Sequence, residues 1–261
     1  MQRVRIVWTF FKIGLLNEFA YRANLYLQLV QSCAAVAMAF GGLVVVFGHT
    51  DTLGGWRPDE VLAVLGVYLI LGAAISGAIA PSMRRLMEDV HRGTLDYTLT
   101  KPEGSQFLVS IGEFRVWKLV DAVIGMVVLA AALRHQGTVL GALDALLFGT
   151  TLMAGGAIIY SFFLTMGALS FWFLRFQNIL LIFQNMYQAG RWPIGVYPRW
   201  LRIILTFIIP VAIAITVPAE VLVSRLTIER LVAVGLAALL SLTVSRLIWL
   251  RGVRDYSGAS A

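Results

Sequence analysis

The sequence predicts an all-α polytopic membrane protein, and three observations carry that expectation. Of its 261 residues 59% are hydrophobic and only 13% are charged, with a mean hydropathy of +0.82. A soluble chain carries about 25% charged residues. Apolar runs recur that approach or exceed the ~20 residues needed to cross a ~30 Å hydrocarbon core. The breaks between them are short, and in lipid the helix is the open-ended element that satisfies its own backbone polar groups.

Residues 1–22 form the lead-in. Trp8, Phe11, Leu15 and Phe19 recur at helical spacing there, while Arg5, Lys12, Asn17 and Glu18 supply polarity. This predicts an amphipathic helix lying in the headgroup layer, the alternative being a bent extension of the first span. The first span is expected over residues 24–47. The turn at 49–58 holds Gly54, Gly55 and an interfacial Trp56. A second span is expected over 61–80, closed by Pro81. A third follows at 117–133, a small loop at 134–137 and a fourth span at 143–171.

Between residues 175 and 220 hydropathy supports two readings. Residues 178–192 are only half apolar, with Gln184, Asn185, Gln188 and Arg191, whereas 201–223 is strongly apolar but broken by Pro210 and Pro218. Either the first piece lies flat and the second crosses, or the first crosses as a short polar-lined span and the second dips into the far leaflet and returns, its broken helices shielded by protein. A final span at 231–250 completes six in both cases. The membrane domain is thus expected over 23–250, with a tail at 251–261.

Charge sets the orientation. Arg3, Arg5, Lys12 and Arg22 precede the first span, and Arg84, Arg85, Arg92, Lys101, Arg115 and Lys118 lie between the second and third. Arg251 and Arg254 follow the last, whereas the opposite loops carry only Arg57 and Arg134. By the positive-inside rule both termini and the 82–116 connector are expected in the cytoplasm. The net charge of +7 therefore reports orientation and contact with anionic headgroups, and nucleic acid is not an expected partner.

Several chemistries find no support. The single cysteine, Cys33, offers no disulfide or cysteine-based metal framework. A cleaved signal peptide is a poor reading, because about twenty mostly amphipathic residues precede the first apolar run. No phosphate-cradling Gly-x-x-x-x-Gly-Lys-Ser/Thr run occurs. His49, His91 and His135 are scattered, without metal-ligand spacing. Ser161 and Ser170 have no His or Lys partner in the spans for nucleophilic catalysis. Neither catalytic residues nor a bound cofactor or metal is expected. An enzyme acting on lipid headgroups would have to draw its carboxylates from the cluster between Glu88 and Asp96. An ion-coupled carrier or channel is weakened by the scarcity of acids within spans, Asp121 and Asp144 lying near span ends.

Two local patterns carry a resemblance. One is Glu88-Asp89-Val90-His91-Arg92-Gly93-Thr94-Leu95-Asp96-Tyr97 with Leu99-Thr100-Lys101-Pro102; the other is Trp192-Pro193-Ile194-Gly195-Val196-Tyr197-Pro198-Arg199-Trp200-Leu201 followed by Ile209-Pro210. With six spans, an amphipathic lead-in and a charged connector, the chain resembles the type-2 permeases of ATP-binding cassette exporters over nearly its whole length. The first pattern is similar to that family's coupling-helix region and the second to its outer re-entrant segment. The second favours the dipping reading, although Arg199 and Arg202 fit the positive-inside rule better if cytoplasmic.

The resemblance implies a dimer of this chain with itself or an unlike permease in a bacterial cytoplasmic (inner) membrane. Separate ATPase subunits would hold ATP and magnesium and would dock at Arg84, Arg85, Glu88, Asp89, Arg92, Gly93, Asp96, Lys101 and Pro102. A short helix there offers Glu88, Asp89 and Arg92 as mixed-sign contacts and Leu86, Met87 and Val90 as apolar anchors. Gly93 ends that helix, and Lys101-Pro102 fixes an extended exit. Polar residues inside the spans are costly in lipid and so face protein or a cavity. Gln28, Gln31, Ser32, Gln184, Asn185 and Gln188 are accordingly the candidate translocation surface, ordinary interhelical hydrogen bonding being the alternative. Gly155-Gly156, and Gly72 with Ser76, read as close-packing positions.

Overall fold

The computed structural model describes residues 2–20, 22–137, 141–173 and 177–256. Tyr21, Arg175 and tail residues 257–261 lie outside the described residues, as do the side chains of Arg3, Asn17, Arg22 and Asn178. Helices α1 (Gln2–Ala20) and α2 (Arg22–Phe47) lead into α3 (Pro58–Arg92). Two short helices, α4 (Asp96–Leu99) and α5 (Ser105–Ser110), precede α6 (Val116–Gln136) and α7 (Ala142–Leu169). Then come α8 (Gln177–Tyr187), α9 (Arg199–Ile208), α10 (Val211–Leu222) and α11 (Ile228–Asp255). Five of these helices are long and apolar enough to cross a membrane, and α9 with α10 forms a pair bent by 93°.

Contacts fix the two ends of the bundle. At one end Gln136 of α6 donates to the Asp59 carbonyl at 3.1 Å, and Arg225 donates to the Gly55 carbonyl and the Glu60 carboxylate at 2.9 and 2.8 Å. At the other, Glu18 of α1 accepts from the Trp117 backbone N–H at 2.9 Å, and the Trp172 indole donates to Asp255 at 3.1 Å. Both described ends of the chain therefore share one end of the bundle with the charged connector. The 48–57 turn marks the opposite end.

The second span differs from expectation because Pro81 does not close it. Helix α3 runs through Pro81 to Arg92 by way of a π-helical turn at Ile75–Ile79. Pro81 has no N–H to give the Gly77 carbonyl four residues earlier, and that carbonyl accepts from the Arg115 backbone N–H at 2.7 Å. Ser82 adds a second tie, its Oγ donating to the Glu113 carbonyl and accepting from the Glu113 N–H, both at 3.1 Å. The proline thus docks the far end of the connector onto the helix. At 35 residues α3 is about 50 Å long, well beyond a ~30 Å hydrocarbon core, so its last turns carry Arg84 to Arg92 out of the apolar layer.

Close backbone approaches hold the spans together. Gly66 of α3 faces Gly125 of α6, where a Cβ on Gly125 would lie 2.9 Å from Ile70 Cγ1 and 3.0 Å from the Gly66 carbonyl oxygen. Gly155 of α7 lies against Ala214 of α10, a Cβ there coming within 3.0 Å of the Ala214 Cα. Small residues permit such contact where lipid supplies no hydrophobic drive between helices.

The segment that hydropathy left open is settled by its neighbours. Gln184 on α8 accepts from Arg84 near the connector end, whereas Val196 touches Gly54 at the turn end, so residues 177–196 traverse the bundle. Val211 and Ile215 lie beside Gly190 and near Tyr68, partway along α3, and Arg225 beyond α10 is back at Gly55. The α9–α10 pair therefore enters and leaves at the turn end. Arg199 and Arg202 lie at that end too, Arg202 donating to the Gly195 and Tyr197 carbonyls at 3.3 Å.

Helix α1 is separate from α2 in direction of contact. Its Phe11 meets Phe114 edge to face at 6.2 Å, and Gly14 packs on the Phe114 carbonyl, while Trp8 and Phe19 stay exposed. One face grips the 113–118 segment and the other is left apolar.

Candidate functional site

Two features stand out, a polar cavity among the helices and an exposed charged surface at the connector end. The cavity, about 480 Å³, lies between α2, α3, the start of α6 and α8. Of the residues that sequence reasoning selected for a translocation surface, Gln31, Ser32, Gln184 and Gln188 line it together. Gln28 and Asn185 are not among its walls. Gly72 and Ser76, read from sequence as packing positions, also line it, and a Cβ on Gly72 would come 3.4 Å from the Tyr187 ring.

Sequence reasoning missed the groups that organise this cavity. Tyr187 stacks on Tyr68 at 4.8 Å and its hydroxyl donates to the Tyr68 carbonyl at 2.7 Å, pinning α8 to α3. Arg191 Nε donates to the Tyr68 hydroxyl at 3.2 Å. Lys118 and Asp121 form a half-buried ion pair at 2.7 Å on the wall toward the connector. A signal was present in the sequence: Gln184, Tyr187, Gln188 and Arg191 recur at three- and four-residue spacing, which aligns a polar stripe on one side of a helix. Their half-apolar segment obscured it.

At the connector, Arg92 is the last residue of α3 and Gly93 takes the left-handed conformation, φ +70°, that caps it. Thr94 folds back, its N–H donating to the Asp89 carbonyl at 2.9 Å and its hydroxyl to Asp89 Oδ1 at 3.0 Å. Asp89 is thus engaged within the chain, and Asp96 is half-buried. Leu86 and Met87 are buried in the protein's own core, so they do not serve as anchors for a partner, and half-buried Val90 packs on the same core. The surface that remains outward comprises Glu88, His91, Arg92, Lys101 and Pro102 with Tyr97, an aromatic left 77% exposed. Arg85 is exposed but donates to the Gly112 carbonyl at 2.9 Å, bracing the connector against itself.

Cavity and connector are joined by Arg84, whose Nη2 donates to Gln184 Oε1 at 3.0 Å. A helix that carries the exposed surface is thereby bonded to a helix that walls the cavity. Among the described residues no group of three or more His, Cys, Asp or Glu side chains is placed to hold a metal ion.

A family model described as ABC-2 family transporter protein matches residues 33–260, which covers all of α3 through α11 and part of α2. The chain belongs to the ABC-2 transporter family. No curated protein and no solved structure matches it. As an ABC-2 protein it is the membrane component of an ATP-binding cassette transporter, a partner for ATPase subunits and not itself the ATPase. Both features of the site lie within the matched region of this ABC-2 chain, apart from the first turns of α2, where Gln31 and Ser32 precede it.

Proposed function

We propose that this ABC-2 chain is the permease subunit of an ATP-driven exporter. It pairs with a second copy or an unlike permease, and the exposed surface of Glu88, Arg92, Tyr97 and Lys101 receives a separate ATPase that holds ATP and magnesium. The excess of Lys and Arg at the connector end supports a cytoplasmic location for that surface and for both termini in a bacterial inner membrane. Closure of the ATPase pair presses on the last turns of α3. The push reaches α8 through Arg84 and alters the cavity wall.

The observation that carries this reading is the Arg84–Gln184 hydrogen bond, which connects a charged surface outside the apolar layer to a cavity inside it. The cavity mixes amides, hydroxyls and apolar walls, which suits an amphiphilic lipid, glycan conjugate or drug-like molecule. The test is copurification. A tagged chain expressed with its neighbouring reading frames is expected to bring down an ATPase in stoichiometric amount, and vesicles holding the complex are expected to transport only when ATP is present. Full transport by the purified chain alone overturns the proposal.

A further inference from the structure

Among the described residues, one positive charge inside the cavity has no carboxylate to balance it. Lys118 is paired with Asp121, which leaves Arg191 as the excess cation of the lining. Its Nε donates to the neutral Tyr68 hydroxyl at 3.2 Å, and its guanidinium carbon stands 5.4 Å from the Tyr68 ring centre. Among the described residues no carboxylate lies within ion-pair distance of it. A guanidinium carries five N–H donors, and among the described residues one of them, Nε, is engaged.

Depth makes this arrangement costly unless it has a use. Tyr68 is ten positions beyond the start of α3, about 15 Å along the helix and so near the middle of a ~30 Å hydrocarbon core. A cation at that depth is retained where water or a ligand meets it. Tyr68 fixes the guanidinium from one side through a ring and a hydroxyl, while Tyr187 holds Tyr68 in place by stacking. Gln188, one turn earlier on the same stripe, adds an amide to the wall. Across the cavity α2 presents Ala35, Val36 and Ala39, an apolar stretch that follows the polar Gln31 and Ser32 on the same wall.

We infer that the cavity binds an amphiphile with an acidic headgroup, a phosphate or carboxylate, with Arg191 as the headgroup ligand and the α2 wall beside the apolar body. Planar paired N–H donors match the paired oxygens of either group. The inference rests on the permease reading and narrows its substrate class. Lys118, set toward the connector and neutralised by Asp121, lies on the route from that end to Arg191.

The test uses the full chain in nanodiscs of phosphatidylcholine, without any ATPase. The fluorescent fatty acid dansylaminoundecanoate serves as probe, and empty nanodiscs give the partition background. Saturable binding above that background is expected, displaced by dodecyl phosphate and not by dodecyltrimethylammonium or dodecyl maltoside. Inorganic phosphate is expected to displace little, and displacement as effective as that by dodecyl phosphate would assign the site to a free anion and overturn the amphiphile. Arg191→Gln is expected to weaken the probe at least about tenfold, and Arg191→Lys by less, since lysine keeps the charge and loses the paired donors.

Equal displacement by the ammonium amphiphile overturns the inference on the unaltered protein, whether or not the variants assemble. So does wild-type affinity in Arg191→Gln. Headgroup selectivity lost while ATPase capture persists sinks this inference alone. Selectivity intact with no ATPase captured sinks the permease reading and leaves the site standing.

Discussion

Arg84 and Gln184, one hundred positions apart, meet through a 3.0 Å hydrogen bond from Nη2 to Oε1. It ties the end of α3 that leaves the apolar layer to α8, a second helix of the cavity wall. Hydrogen bonds to charged groups are worth about 1.5–3 kcal/mol, or roughly tenfold to a hundredfold in an equilibrium. Arg84→Ala and Gln184→Leu are each expected to cut transport by about tenfold or more in reconstituted vesicles. ATP hydrolysis by the captured ATPase is expected to persist within about twofold, because the exposed docking surface is untouched. Parallel loss of both activities would show that the contact serves assembly and not transmission.

Tyr97 is the exposed aromatic of the connector, flanked by Arg92 and Lys101 in sequence. Buried tyrosines at interfaces commonly cost 2 kcal/mol or more on truncation, about thirtyfold in affinity. Tyr97→Ala is expected to weaken ATPase capture by roughly that factor. Arg92→Glu is expected to do so as well, without loss of fold. The Glu88–Arg92 pair it breaks is 3.9 Å long between side chains 54% and 71% exposed, and such pairs contribute little to stability. Titration of the detergent-solubilised chain with purified ATPase measures both, and unchanged affinity in both variants removes this surface from the docking scheme.

How much of this was legible in the sequence follows from the kind of signal each feature leaves. Spans over 24–47, 117–133 and 231–250 were visible because lipid-facing helices are apolar nearly all round. Pro81 misled because a proline's lost N–H reads as a stop, whereas a π-helical turn and the Arg115 N–H absorb the disruption. Leu86 and Met87 misled because hydropathy does not say whether an apolar residue faces a partner or the chain's own core. The cavity was half legible. Gln31, Ser32, Gln184 and Gln188 announced themselves as costly polar groups in apolar runs, but Tyr68 and Tyr187 pass for ordinary interior aromatics until their stacking is seen.

Gly125 tests the close approach of α3 and α6. Its missing side chain leaves no room for a Cβ between Ile70 and the Gly66 carbonyl, whereas Gly149 on α7 has nothing within 4 Å. Overpacking a tight core costs about 1–3 kcal/mol. Gly125→Ala is therefore expected to lower the thermal unfolding midpoint of the purified chain by several degrees, and Gly149→Ala to hold or raise it. A rise of equal size in both would mean that helix propensity, and not the contact, governs the effect.

Glu18 supplies the pH dependence. Its carboxylate reaches from α1 to the backbone N–H of Trp117, where it meets the positive end of α6. Burial raises its pKa above the ordinary carboxylate value, outweighing the N–H groups of Trp117 and Val116 and the charge of Arg115, which lower it. A carboxyl group raised on docking binds its proton more readily docked than free, so docking of α1 strengthens as pH falls through the raised value. The gain is complete below the ordinary value and absent at neutral pH. Glu18→Gln keeps an acceptor oxygen and removes the charge, so it is expected to stabilise the chain most at neutral pH, with the advantage over wild type shrinking toward acid. Glu18→Ala, which leaves the Trp117 N–H without its partner, is expected to be the less stable of the two at every pH. Unfolding midpoints measured for the three proteins across the acid-to-neutral range check the sign, and an advantage for Gln that grows on acidification would place the carboxylate in a net favourable site.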